Sequence, residues 1–182
     1  IPLSPIQRYF FESDSVDIHH YNQSVLLRSR EVIEEECMRS ILDKLVHHHD
    51  ALRMVYKERE GKWLQENVAW TPGRNYSLEI IEQWDESSFE AECDRIQSGM
   101  NLTEGPLFKA CLFRKTGGDL LLLAAHHLII DGVSWRILFE DLSVLYSQYQ
   151  SGVELKLPLK TDSFKYWQDR QIAYSESSNL KR

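Results

Sequence analysis

Two adjacent histidines, His126 and His127, are followed by Asp131 and Gly132. Imidazole takes up and releases protons near neutral pH, so a histidine that faces a cleft is a candidate general base. Because side chains alternate along a strand, the two rings must point to opposite faces, and one can enter a cavity while the other is held in the scaffold. Two buried, hydrogen-bonded histidines without a chemical role would show the same pattern.

The residues around this pair predict a buried strand that leads directly into a helix. The run from Leu120 to His127 is almost entirely apolar, which is typical of a strand buried on both faces. Asp131 and Gly132 end it, and Asp131 is a candidate N-cap for the helix that follows. Helical spacing then predicts one apolar side, made of Val133, Ile137, Leu138, Leu142, Leu145 and Tyr146.

The rest of the chain alternates helices and strands. Ser4, followed by Pro5, predicts the start of the first helix. Glu60-Gly61 and Thr116-Gly117-Gly118 predict two hairpin turns. The combination is typical of an α/β fold, an α+β layered sandwich. Further helices are predicted at 3–12, 32–49, 88–100 and 163–175, and strands at 21–28, 51–58, 62–68, 76–83 and 107–114, before a polar tail that ends at Arg182.

Bulk composition narrows the classes of function. The chain has 182 residues, with 28 acidic against 21 basic side chains and a net charge of −7, which argues against nucleic acid as a ligand. Neither a membrane-spanning run nor a signal-peptide pattern is found. Cys37, Cys93 and Cys111 are typical of reduced thiols in a cytoplasmic protein. The chain begins at Ile1 without a methionine, so we expect it to be part of a longer protein.

Two histidine groups raise the question of a metal. His47, His48 and His49 are consecutive in a predicted helix, and consecutive helical positions do not converge on one ion. His126 and His127 diverge as neighbours on a strand, so they are not expected to bind a metal together with Asp131. The sequence therefore predicts no metal site.

Several motifs together identify a family. The chain opens with Leu3-Ser4-Pro5-Ile6-Gln7 followed by Tyr9-Phe10, and the block from His20 to Leu27 reads HYNQSVLL. His126 to Gly132 matches the HHxxxDG signature, and it continues as Val133-Ser134-Trp135. A further block, Thr161 to Lys165 with Trp167, also fits. In these blocks the chain resembles the N-terminal half of an epimerization domain from a nonribosomal peptide synthetase, within the condensation-domain superfamily.

The resemblance implies a fold and an activity. Residues 1–182 would form one lobe with a chloramphenicol acetyltransferase-like fold, a mixed sheet flanked by helices, as the N-terminal half of a two-lobed, V-shaped domain whose C-terminal lobe is absent. The family inverts the α-carbon of an aminoacyl or peptidyl thioester from L to D. His127 would be the catalytic base, and a glutamate of the second lobe would share the active site. The lobe by itself is therefore expected to be inactive.

The resemblance also implies roles around the base. His126 would be held in the scaffold, and Trp135 would pack in the core. Asp131 would form an ion pair with Arg53, the alternative being a plain N-cap. Gly132 would allow close approach of the pantetheine arm or an unusual backbone angle. We further expect free N–H groups at the start of the following helix to stabilise the thioester oxygen.

No cofactor is expected in this lobe, because the substrate arrives on the 4′-phosphopantetheine of a carrier protein. Expected partners are that peptidyl or acyl carrier protein, the second lobe and adjacent synthetase modules, with neither nucleic acid nor membrane involved. An exposed apolar face between the lobes would allow self-association. Two other functions stay open: peptide-bond formation by a condensation domain, and carrier docking without turnover, for which the acidic balance is a poor match to acidic carriers.

Overall fold

The structure is a computed structural model that describes residues 2–13 and 17–177. The end of the predicted polar tail lies outside these residues. The elements in chain order are α1 (Pro5–Glu12), β1 (Asn22–Arg28), α2 (Glu35–His48), a 3-10 turn (Asp50–Arg53), β2 (Met54–Arg59), β3 (Lys62–Asn67), β4 (Ser77–Ile81), α3 (Glu86–Ser98), β5 (Phe108–Phe113), β6 (Leu120–His126), α4 (Gly132–Gln150) and α5 (Phe164–Ser175).

A four-stranded mixed sheet carries the predicted histidine pair. Its strand order is β1-β6-β5-β4, in which β6 is antiparallel to both β1 and β5, and β4 is parallel to β5. In this register Gln23 of β1 and Phe108 of β5 both pair with Ala125 of β6. Strands β2 and β3 form a separate hairpin. The mixed sheet with flanking helices confirms the predicted fold class.

Local sequence signals account for several boundaries. Ser4 caps α1, and its hydroxyl accepts from the N–H of Gln7 while the Gln7 side chain accepts from the N–H of Ser4. Glu60 and Gly61 adopt φ of 52° and 71°, as a two-residue hairpin turn with positive φ at both positions requires. The predicted cap and the predicted turn are both confirmed.

The core lies on both faces of the sheet. On one face, α2 and α4 pack against the sheet, and the cluster includes Ile41, Leu45, Leu123, Leu138 and Leu145, all at most 4% exposed. On the other face, Ile96 of α3 packs against Cys111, Phe113 and Leu122. Strand β6 is thus buried on both sides, as its apolar run predicts.

The buried side of α4 differs from the predicted one. Leu138 and Leu145 are buried as predicted, but Val133 is 67% and Ile137 44% exposed, and Trp135 is buried between them in sequence. The indole is the larger group, so turning it inward removes more apolar surface from water. The three cysteines are free thiols, as predicted. None of the helices in the described residues is long and apolar enough to cross a bilayer.

Candidate active site

His126 is part of the scaffold. Its ring is completely buried, its Nδ1 accepts from the N–H of Leu128 at 3.2 Å, and its Nε2 therefore carries the proton that is donated to the main-chain oxygen of Ile18 at 2.9 Å. Burial lowers the pKa of His126 to about 4, so the ring is neutral at physiological pH. The structure thus agrees with the expected scaffold position.

His127 points to the other face and is only partly buried. Its main-chain N–H donates to the oxygen of Tyr21 at 2.7 Å, which extends the β1–β6 pairing by one position. Its Nδ1 lies 2.7 Å from the main-chain oxygen of Ile130, which can only accept, so Nδ1 carries the proton. The lone pair of the neutral ring is consequently on Nε2, the atom that a general base would use.

Two side chains, Gln23 and Tyr21, contact the His127 ring. The amide nitrogen of Gln23 lies 3.2 Å from this atom, and the amide oxygen of Gln23 accepts from the indole N–H of Trp135 at 3.0 Å. The ring of Tyr21 lies over the His127 ring, with 5.1 Å between centroids and 31° between planes. Trp135 is 6% exposed and stacks on Phe139, which agrees with the expected packing in the core.

Gln23 and Tyr21 have no role in the site predicted from the sequence, although both lie in the HYNQSVLL block. The signal that points to Gln23 is its face. It shares one side of β1 with Val25 and Leu27, which are partly buried apolar residues, and a polar group on such a face needs a partner. That the partner is His127 depends on pairing between residues 104 positions apart.

The predicted ion pair between Asp131 and Arg53 is wrong. Asp131 is exposed and caps α4, where its Oδ1 accepts from the N–H of Ser134 at 2.7 Å and from the Ser134 hydroxyl at 2.6 Å. These hydrogen bonds lower the pKa of Asp131. The plain N-cap, the alternative interpretation, is the one observed.

Arg53 instead closes the C-terminal end of α2. Its guanidinium donates to the main-chain oxygens of Val46 and His47 and to Oδ1 of Asp50 at 2.9 Å. It also contacts the β3 end through the oxygen of Val68 at 3.2 Å. The last carbonyls of a helix have no partners within the helix, and a nearby cation satisfies them and the helix dipole together. This local demand explains why Arg53 points away from the histidines.

The start of α4 is a weaker oxyanion site than expected. The Asp131 carboxylate occupies the N–H of Ser134, and its negative charge opposes an anion at this helix end. Gly132 has no positive φ, so the expected unusual backbone angle is wrong. A methyl group added at Gly132 would meet no atom within 4 Å, and the close approach of a ligand arm stays a prediction.

Two of the three consecutive histidines at the end of α2 have ring nitrogens that lie closer together than predicted. The helix ends at His48 and His49 is extended, and one ligand atom from each of His48, His49 and Asp141 of α4 lies within 4.8 Å of the other two. The reason given for excluding a metal is therefore wrong here. His49 Nε2 and Asp141 Oδ2 are already hydrogen-bonded at 2.7 Å. Among residues 2–13 and 17–177 no other such group is found, so His126, His127 and Asp131 do not form one.

Positive charge close to this trio disfavours a divalent cation. Burial, the neighbouring His49 and the ammonium groups of Lys160 and Lys44 all lower the pKa of His48. The same ammonium groups would repel a bound cation. The contact between His49 and Asp141 instead joins the residue that follows α2 to α4.

Comparison with known proteins places the chain in a family. The family model of the condensation domain matches residues 1–182. The chain is 44% identical to tyrocidine synthase 1 of Brevibacillus parabrevis, over 99% of this chain and 17% of that protein. It is also 44% identical to tyrocidine synthase 2 of the same organism, over 100% of this chain and 5% of that protein. The chain therefore spans less than a fifth of either relative.

Solved structures give the same result. The epimerization domain from the third module of tyrocidine synthetase B superposes with a TM-score of 0.92 at 43% identity, over 99% of this chain and 42% of that one. The first condensation domain of the calcium-dependent antibiotic synthetase superposes with a TM-score of 0.78 at 22% identity, over 100% of this chain and 45% of that one, which shows a shared fold. This chain belongs to the condensation-domain family of the nonribosomal peptide synthetases.

Proposed function

We propose that the chain carries the catalytic base of an epimerization domain, which inverts the α-carbon of an aminoacyl or peptidyl thioester presented on the 4′-phosphopantetheine of a carrier protein. One observation carries the choice of epimerization. Gln23 and Trp135 come from two of the blocks that resemble the epimerization branch, and they hydrogen-bond to each other beside Nε2 of His127. The 43% identity to a solved epimerization domain supports the same choice.

In the proposed reaction, Nε2 of His127 removes the α-proton. The Cα–H bond breaks, an N–H bond forms at Nε2, and the electron pair moves to the thioester oxygen as an enolate. The hydrogen bond from Nδ1 to the oxygen of Ile130 keeps the lone pair of the neutral ring on Nε2 and stabilises the imidazolium that forms. Inversion then requires a proton delivered to the opposite face of the carbon.

That second proton donor is expected from the part of the domain that faces this chain. The chain covers 42% of the solved epimerization domain, so the activity is proposed for the complete domain, with the carrier protein and adjacent modules as partners. The phosphopantetheine belongs to the carrier and is the arm that delivers the substrate.

The experiment uses the complete domain with its carrier protein loaded with an α-deuterated aminoacyl group. We expect loss of deuterium and appearance of the D-isomer. His127→Ala should abolish both, whereas His20→Ala, which removes an exposed histidine, should leave both unchanged.

Three results would contradict the proposal. Amide formation with a second loaded carrier, without deuterium loss, would assign a condensation domain. Binding of the carrier without either reaction would assign a docking module. Full deuterium loss in folded His127→Ala would show that another group is the base.

A further inference from the structure

The orientation of the Gln23 amide is determined by Trp135. An indole N–H can donate a hydrogen bond but cannot accept one, so the atom that it contacts at 3.0 Å must be the amide oxygen of Gln23. The amide nitrogen then necessarily faces Nε2 of His127, at 3.2 Å. A flipped amide would place two donors against each other at the indole and two lone pairs against each other at the histidine.

Both ends of this arrangement are held by the fold. Gln23 lies on β1 and pairs with Ala125, two residues before His127 on the same face. Trp135 lies in the first turns of α4, is 6% exposed and stacks on Phe139 at 5.5 Å. The amide nitrogen is therefore held beside His127 before any substrate arrives.

Proton abstraction changes what the amide can contact. In the neutral state the Gln23 N–H donates to the lone pair of Nε2. Nε2 has a single lone pair, so the amide N–H must leave this atom as the α-proton arrives, and the amide N–H then needs another acceptor. The thioester oxygen, which gains negative charge in the same step, is two bonds from the carbon that loses the proton. The amide N–H is therefore released from the base beside the developing charge.

We propose that the side-chain amide of Gln23 is the catalytic donor that stabilises the thioester oxygen as it becomes an enolate, with Trp135 as its positioning residue. This inference rests on the proposed function and deepens it. The start of α4 competes poorly for this role, because Asp131 occupies the N–H of Ser134 with a carboxylate. Gln23 offers a donor without that opposing charge.

The test measures α-deuterium loss in the complete domain with its loaded carrier. Gln23→Leu removes the donor, and Gln23→Glu keeps an acceptor for Trp135 but presents a carboxylate to the enolate. Each should lower kcat about 10²–10³-fold with little change in KM, because the lost contact forms in the transition state. Trp135→Phe leaves the amide free to rotate and should lower kcat about two- to tenfold, again with KM retained.

Ser24→Ala on the exposed side of β1 and Trp70→Phe on a partly exposed tryptophan are the matched controls, and both should keep the wild-type kcat. If Gln23→Leu does not fold, Gln23→Glu provides the test, because glutamate keeps the shape of the side chain and an acceptor for the Trp135 indole. A folded Gln23→Glu variant with the wild-type kcat would overturn the inference while leaving epimerization intact. A wild-type domain that exchanges no α-deuterium would overturn the proposed function itself.

Discussion

His126 donates from Nε2 to the main-chain oxygen of Ile18 at 2.9 Å, and this bond ties the central strand β6 to the segment before β1. The ring is completely buried and neutral. Protonating it would place a charge in the core and turn Nδ1 into a second donor facing the N–H of Leu128. The scaffold histidine is thus one acid-sensitive point of the fold.

We expect His126 to make stability depend on pH. Its pKa is lowered from an ordinary 6.5 to about 4. Between these values the unfolded chain binds the proton more readily, so about 3 kcal/mol of stability is present above pH 6.5 and is lost as the pH falls toward 4. Urea unfolding across this range should show that slope in the wild type and a reduced one in His126→Gln. The lowered pKa of His48 acts in the same direction in both proteins and cancels in the difference. Equal slopes would contradict the prediction.

Arg53→Ala should destabilise the fold without any involvement of Asp131. The variant leaves the oxygens of Val46 and His47 without the guanidinium, at a cost of about 2–3 kcal/mol. Asp131→Ala removes only the α4 cap, at a cost of about 1 kcal/mol, and Asp131→Asn should cost less because asparagine also caps. Since the two groups share no contact, the double variant should be additive in denaturant unfolding. An interaction energy above about 1 kcal/mol between the two substitutions would indicate that Arg53 and Asp131 do form an ion pair.

The turn between β5 and β6 offers a matched pair of glycine substitutions. Gly118 has φ of 127°, and an added Cβ would clash with the main-chain oxygen of Ser29, so Gly118→Ala should cost more than about 3 kcal/mol. Gly117 has φ of 85° with no atom within 4 Å, so Gly117→Ala should cost about 1 kcal/mol. Thermal or urea unfolding measures both. Similar losses at the two positions would show that backbone strain, not the contact with Ser29, decides the cost.

A buried ion pair, between Arg114 and Asp119, joins the two ends of the same turn. Asp119 is completely buried, and its Oδ2 accepts from Arg114 at 2.5 Å and from the N–H of Ile33 at 2.7 Å. Asp119→Ala removes the buried carboxylate from Arg114, whose remaining carboxylate partner, Glu82 at 3.8 Å, is exposed, and should cost about 3–5 kcal/mol. Glu79→Ala, which breaks an exposed pair with Arg95, is the control and should cost less than about 1 kcal/mol. Equal losses in urea unfolding would contradict this account.

Local features of the fold were predictable from the sequence because their causes are local. The Ser4 cap and the Glu60-Gly61 turn each depend on a few neighbouring residues, and both were predicted correctly. The buried face of α4 was only partly predicted. Val133 and Ile137 have the right spacing, but spacing does not say which of two apolar sides meets the sheet.

In the candidate site, too, only the features with local causes were predictable from the sequence. Alternation along β6 is enough to separate His126 from His127. The partner of Arg53 was predicted wrongly, since the competing carbonyls at the end of α2 become visible only once the helix end is known. Gln23 and Trp135 are 112 positions apart, and neither periodicity nor turn chemistry brings them together.

The position of β1 at the edge of the sheet has a consequence for how the domain is made. Strands β5 and β6 form a hairpin from neighbouring residues and can pair quickly, whereas β1 must close a loop of about a hundred residues to reach β6. On a ribosome β1 emerges first and remains without its partner until β6 has been synthesised. Gln23 therefore reaches its position beside His127 only after β6 has been synthesised, and we expect this contact to form later than the β5–β6 hairpin.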